Sequence, residues 1–272
     1  GDLSFKDITQ SANFITQGWA TGISIVDINA DGWDDIYISV GGYKCEGNCK
    51  NYFFIHQGLN ENGMPFFENK AADYGLEDGL YTQQAAFFDY DLDGDLDVYL
   101  LHNVVDPNDK NSPSPKRYIN TQTTDQLLRN DTKNNIAHPI FTDVSEEMGI
   151  TNRGYGLGIA IEDFNQDGYA DVYVANDFLS EDLLYLNNGV QNAVHQGFTE
   201  SSKSVLAHQT YNSMGVDVAD VNSDGLPEIV VVDMLPAYHE RQKTMIGFMN
   251  YDKFQLSQKQ GDFVKKYFIQ KV

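Results

Sequence analysis

The run Asp89-Tyr90-Asp91-Leu92-Asp93-Gly94-Asp95-Leu96-Asp97 leads directly into Val98-Tyr99-Leu100-Leu101. Oxygen-bearing side chains stand at its first, third, fifth and ninth places, and glycine at the sixth. The pattern returns three times without gaps. Residues 27–35 carry Asp27, Asn29, Asp31, Gly32 and Asp35; residues 163–171 carry Asp163, Asn165, Asp167, Gly168 and Asp171; residues 220–228 carry Asp220, Asn222, Asp224, Gly225 and Glu228. Recurrence at equivalent places marks a repeat architecture and argues against a chance acidic turn.

The spacing has a physical cause. A chain curling around one cation presents alternate side chains inward, and a glycine at the sixth place permits the sharp turn. The seventh residue, Trp33, Asp95, Tyr169 or Leu226, can offer its backbone carbonyl. Calcium takes about six to eight hard oxygens, whereas magnesium prefers a tighter octahedron that keeps its waters. The sequence therefore predicts about four calcium ions, one per loop. The second loop, with four acidic ligands and Asp95 beside them, should bind most tightly, because affinity rises with ligand charge.

The flanks exclude an EF-hand, which needs a helix on both sides and a bidentate Glu at the twelfth place. The twelfth residues here are Ile38, Leu100, Val174 and Val231, all inside apolar runs. Ile36-Tyr37-Ile38, Val98-Tyr99-Leu100-Leu101, Val172-Tyr173-Val174 and Ile229-Val230-Val231-Val232 are strand-like, as are the segments before the loops. Each loop thus joins two strands of a hairpin. Two more elements follow: an apolar run ending in Asn or Gln (Tyr52 to Gly58, Gln126 to Asn130, Leu183 to Gly189), and a phenylalanine strand (Phe66-Phe67-Glu68, Phe141 to Val144, Phe198-Thr199-Glu200). Four strands per repeat predict an all-β chain whose residues 1–235 form the four-stranded blades of a β-propeller.

The loops begin at Asp27, Asp89, Asp163 and Asp220, 62, 74 and 57 residues apart, longer than a blade of about 40–45 residues. The excess belongs in connections, above all the polar stretch from His102 to Thr124, either a ligand loop or a plain insertion. Asn130-Asp131-Thr132 is a glycosylation sequon. Residues 236–272 read as an irregular, partly helical segment leading to further blades, with a short helix over Met245 to Leu256. The opening Gly1-Asp2-Leu3-Ser4-Phe5 reads as the middle of a repeat.

Forty acidic against eighteen basic residues give a net charge of -22, which repels nucleic acid and anionic membrane surfaces. Cys45 and Cys49, with Gly47 between them, predict a small disulfide and hence an extracytoplasmic, secreted or cell-surface location. No apolar run approaches the twenty or so residues of a transmembrane segment.

The recurring Phe-x-Asp, Gly-Ile, Asp-x-Asn/Asp-x-Asp-Gly, Val-Tyr-Val and Leu-Tyr-x-Asn-Asn-Gly elements resemble the FG-GAP and VCBS repeats of integrin α-subunit propellers. They look closer to bacterial relatives of cartilage acidic protein that carry an ASPIC/UnbV region. The likeness covers nearly all of residues 1–235 and implies a propeller of roughly seven blades with cations on one rim. The Phe-Gly and Gly-Ala-Pro signatures of the integrin repeat are largely missing, which weakens an inference of integrin-like adhesion.

Function divides three ways. A binding or scaffold module would present its loops to a protein or glycan. A polysaccharide lyase or hydrolase would need carboxylates, or a Tyr, His or Lys, converging away from the calcium loops. A structural subunit of a larger surface assembly would use calcium for rigidity alone. His56, His102, His138, His195, His208 and His239 form no sequence grouping typical of catalysis. Trp19, Trp33, Tyr81 and Tyr155 could stack on sugars or pack within blades.

Overall fold

The computed structural model describes residues 4–41, 49–103, 124–132, 139–177, 180–210 and 212–234. The regular structure of the described residues is almost entirely β. Strands β1 (Trp19–Val26), β2 (Asp35–Gly41), β3 (Tyr52–Leu59) and β4 (Pro65–Asn69) form one antiparallel sheet in that order. One turn of helix, α1 (Ala71–Tyr74), leads to a second sheet of β5 (Thr82–Phe88), β6 (Asp97–His102), β7 (Gln126–Asn130) and β8 (Phe141–Asp143). The third sheet holds β9 (Gly156–Glu162), β10 (Asp171–Asn176), β11 (Leu183–Asn187) and β14 (Phe198–Glu200), with a small hairpin of β12 (Val190–Gln191) and β13 (Val194–His195) before its last strand. After α2 (Ser202–Val205), β15 (Ser213–Ala219) pairs with β16 (Glu228–Asp233).

Every Asp-rich loop joins the first and second strands of its sheet, and the ninth loop residue opens the second strand. Val26 pairs with Asp35, Phe88 with Asp97, Glu162 with Asp171, and Ala219 with Glu228. The second strands β6 and β10 are apolar on both faces because both faces are covered. In β6, Val98 and Leu100 join Tyr37 and Phe53 of the first sheet, while Tyr99 and Leu101 join Val172 and Val174 of the third. Tyr173 and Ala175 of β10 likewise meet Val216, Ile229 and Val231 of the fourth.

The sheets stack in chain order with their first strands adjacent, β1 against β5, β5 against β9 and β9 against β15. Glycine permits this approach: a Cβ on Gly22 would lie 2.6 Å from the Gln83 carbonyl oxygen. Blade-like stacking accords with the predicted all-β architecture, but the described residues form no closed ring. Three of the four repeats have the expected four strands, and the fourth has two among the described residues. Residues Ile8, Ala12 and Phe14 cover β2 to β4 on the outer face of the first sheet, leaving Ile23 and Ile25 of β1 exposed, and the last sheet exposes Val230 and Val232. Cys45, most of the 102–124 insertion, and the 236–272 segment with its predicted helix lie outside the described residues. Cys49 is buried, and its backbone pairs with Gly79 in an isolated antiparallel β-bridge.

Candidate metal centres

The four loops share one hydrogen-bond plan. The first aspartate accepts two backbone N–H groups from the turn: Asp27 from Asp31 and Gly32 (3.0 and 2.8 Å), Asp89 from Asp93 and Gly94 (3.1 Å each), Asp163 from Asp167 and Gly168 (3.1 and 2.8 Å), and Asp220 from Asp224 and Gly225 (3.0 and 2.8 Å). The fifth aspartate accepts from the seventh N–H, as Asp31 does from Trp33, Asp93 from Asp95, Asp167 from Tyr169 and Asp224 from Leu226. These bonds curl the backbone of each loop into one turn. In the second loop Asp89, Asp91 and Asp97 bring ligand oxygens within 4.8 Å of one another. The expected glycines all have left-handed φ, +87° at Gly32, +94° at Gly94, +92° at Gly168 and +85° at Gly225.

The ninth residue does more than face the loop. Asp35, Asp97 and Asp171 are buried, and each accepts one N–H from its loop and another from the third strand of its sheet. The partners are Ile28 and His56 for Asp35, Tyr90 and Asn130 for Asp97, and Phe164 and Asn187 for Asp171. Each loop is thereby fastened to strand β3, β7 or β11. Glu228 departs from this plan: it accepts from Val221 N–H at 2.9 Å and from the Asn222 side-chain amide at 2.6 Å, both within its own loop.

Electrostatics set the second loop apart. Burial, with help from Asp91 and Asp95, pushes Asp97 up to about 8. Burial and the neighbouring aspartates push Asp95 up to about 6 and also raise Asp91. Burial pushes Asp35 and Asp171 up to about 6 despite the backbone N–H groups they accept. Among the described residues Asp95 Oδ1 is buried without a hydrogen-bond partner. Crowded, desolvated carboxylates of this kind suit a hard divalent cation, which supplies the opposing charge and takes oxygen donors. The donor set fits calcium. In the first and third loops the amides of Asn29 and Asn165 donate to Asp31 and Asp167, so those loops carry less repulsion.

Several features have weaker signatures in the sequence. The fourth residues Ala30, Leu92, Gln166 and Ser223 adopt left-handed φ of +52° to +62° without being glycine. A second family of buried polar residues opens the third strands: Asp125 accepts from the Tyr99 hydroxyl and His102 N–H, and Asp182 from the Tyr173 hydroxyl and Asn176 N–H. Asn51 takes that place in the first sheet, accepting from Val40 N–H. A tyrosine two residues beyond the ninth place of the first three loops is the available signal, but the acidic partner of Tyr99 lies 26 residues away.

The sequon Asn130 is buried; its amide donates to the Leu96 carbonyl and its oxygen accepts from Thr132. His102 is buried between Asp78 and the Thr124 carbonyl, and His195 contacts Asn187. His208 is exposed, while His138 and His239 lie outside the described residues. Trp33 stacks on His56, with ring centroids 4.5 Å apart, and remains 45% exposed. Trp19 opens β1, whereas Tyr81 and Tyr155 immediately precede β5 and β9, all at the sheet ends away from the Asp-rich loops. Trp19 is 67% exposed, and both tyrosines are partly exposed.

Residues 163–231, from the third loop into β16, match the family model for an FG-GAP-like repeat. This supports the FG-GAP/VCBS repeat class. No curated protein matches the chain.

Proposed function

We propose that this chain is a calcium-stabilised, extracytoplasmic propeller module that binds protein or glycan partners, related to the ASPIC/UnbV-bearing class. The carrying observation is the fourfold recurrence of one hydrogen-bonded Asp-rich loop at the join of two strands, which in the second loop gathers the carboxylate oxygens of Asp89, Asp91 and Asp97 within 4.8 Å of one another. Calcium would supply the positive charge that lets these carboxylates lie together. Asp27, Asn29, Asp31 and Asp35, and their counterparts, would hold it with the seventh backbone carbonyl. Each ninth carboxylate would pass the resulting order to the third strand.

A binding role is favoured over glycan chemistry by the engagement of the buried acids outside the loops. Asp125 and Asp182 are tied to tyrosine hydroxyls and backbone amides, and Asp78 accepts from Asn51, Leu80 and Thr82. The exposed aromatics away from the loops supply stacking surfaces suited to neutral glycans. A screen of the calcium-loaded chain against neutral oligosaccharides tests this reading, with product analysis of every ligand bound. Saturable binding without cleavage supports it. Depolymerisation would replace it with the enzyme reading, and absence of binding would remove the glycan partner.

A further inference from the structure

The loops are not equally independent. Asn187 ends β11, and its backbone N–H donates to Asp171, the ninth residue of the third loop, at 2.7 Å. Its side-chain amide donates at 2.8 Å to the carbonyl of Tyr90, the second residue of the second loop. Tyr90 N–H in turn donates to Asp97, the ninth residue of that loop. One buried asparagine therefore joins the second and third loops through groups bonded to their ninth carboxylates. The third and fourth loops meet directly: the Gln166 side-chain amide donates to the Gly225 carbonyl at 3.1 Å. Gln166 sits between ligand positions 165 and 167, and Gly225 between Asp224 and the seventh residue, Leu226.

No comparable bond joins the first loop to the second among the described residues. Ala30, at the place of Gln166, has no side-chain donor. Asn130, at the place of Asn187, directs its amide to Leu96 of its own loop. When one of two bonded loops becomes ordered, the other has less conformational freedom left to lose on binding, so each favours the other.

We infer that calcium binds cooperatively across the second, third and fourth loops, while the first loop fills independently; this rests on the calcium reading proposed above. The test is calorimetric titration of the EDTA-stripped chain with calcium, supplemented by Trp33 fluorescence to follow the first loop. Asp167→Asn, which cripples the third loop, is expected to weaken the second and fourth by about 2- to 10-fold, the fold-change of one net hydrogen bond. Asp31→Asn should leave the other three unchanged. Gln166→Ala alters an exposed side chain, so it carries the test even if Asp167→Asn misfolds; it should weaken mutual support between the third and fourth loops alone. Unaltered affinities at the second and fourth loops in Asp167→Asn, and at the third and fourth in Gln166→Ala, would overturn the coupling and leave the calcium reading standing. No ion bound by the unmodified chain would overturn both.

Discussion

The backbone N–H of Asn130, the last residue of β7, donates to the Asp97 carboxylate at 2.8 Å. A loop residue is thus fixed by a strand 33 positions further along the chain, while its other oxygen accepts from Tyr90 within the loop. With both oxygens facing donors, Asp97→Asn turns an amide NH2 toward one backbone N–H and removes a ligand charge. The variant should lose about 1–3 kcal/mol of stability in calcium. In EDTA the loss should be smaller, because the substitution also removes a buried negative charge. Urea unfolding under both conditions measures the difference; equal losses would deny Asp97 a role in cation binding.

The pH dependence has a definite sign. Asp35, Asp95 and Asp171 are pushed to about 6 and Asp97 to about 8, above the unfolded carboxylate near 4. In that window the metal-free native state holds more protons than the unfolded chain, so stability falls as pH rises. The EDTA-treated protein should therefore melt several degrees higher at pH 5 than at pH 8. Excess calcium should reverse the trend, since protons compete for its ligands. Thermal melts across this range check both slopes, and parallel slopes with and without calcium would contradict the loop electrostatics.

Gly94 tests backbone conformation without steric interference. Its φ is +94°, and a Cβ built there would meet nothing within 4 Å. Gly94→Ala should still cost about 1–2 kcal/mol, from the left-handed conformation alone. Leu92, with φ +59° in the same loop, should by contrast tolerate Leu92→Gly with little change, as relief of strain offsets the greater freedom of the unfolded chain. Denaturant midpoints of the two variants provide the comparison.

What was legible in the sequence follows from the range of the interactions. Asp89 to Asp97 fold on themselves, so their local spacing reveals the loop, and the apolar run from Val98 to Leu101 reveals a strand covered on both faces. The anchors of Asp97 on Asn130 and of Tyr99 on Asp125 cross connections of variable length, which periodicity cannot register. The left-handed fourth residues were hidden because Ala30, Leu92 and Gln166 carry no turn chemistry of their own. Asn130 read as a sequon because the motif records neighbours in sequence, whereas its burial comes from tertiary packing.

The tyrosines opposite the third strands supply a further check. Tyr99 donates to Asp125 at 2.9 Å, and Tyr173 donates to Asp182 at 2.7 Å. Burial also raises the carboxyl of Asp125 to about 6. Tyr99→Phe and Tyr173→Phe should each destabilise the chain by about 1–3 kcal/mol through the lost donor, with calcium affinity retained. Calorimetric titration alongside urea unfolding separates these effects; lost calcium binding would place these pairs within the loop machinery instead.

The central claim is that calcium holds the loops and, through them, the sheets. Its most direct measurement combines the melting temperature of the EDTA-stripped chain with the number of ions bound when calcium or magnesium is restored. The account predicts a fall in EDTA, recovery with calcium far exceeding that with magnesium, and about four bound calcium ions, one per Asp-rich loop. An unchanged melting temperature with no bound ion would contradict it, and would make the clustered carboxylates at Asp89, Asp91 and Asp97 candidates for catalysis.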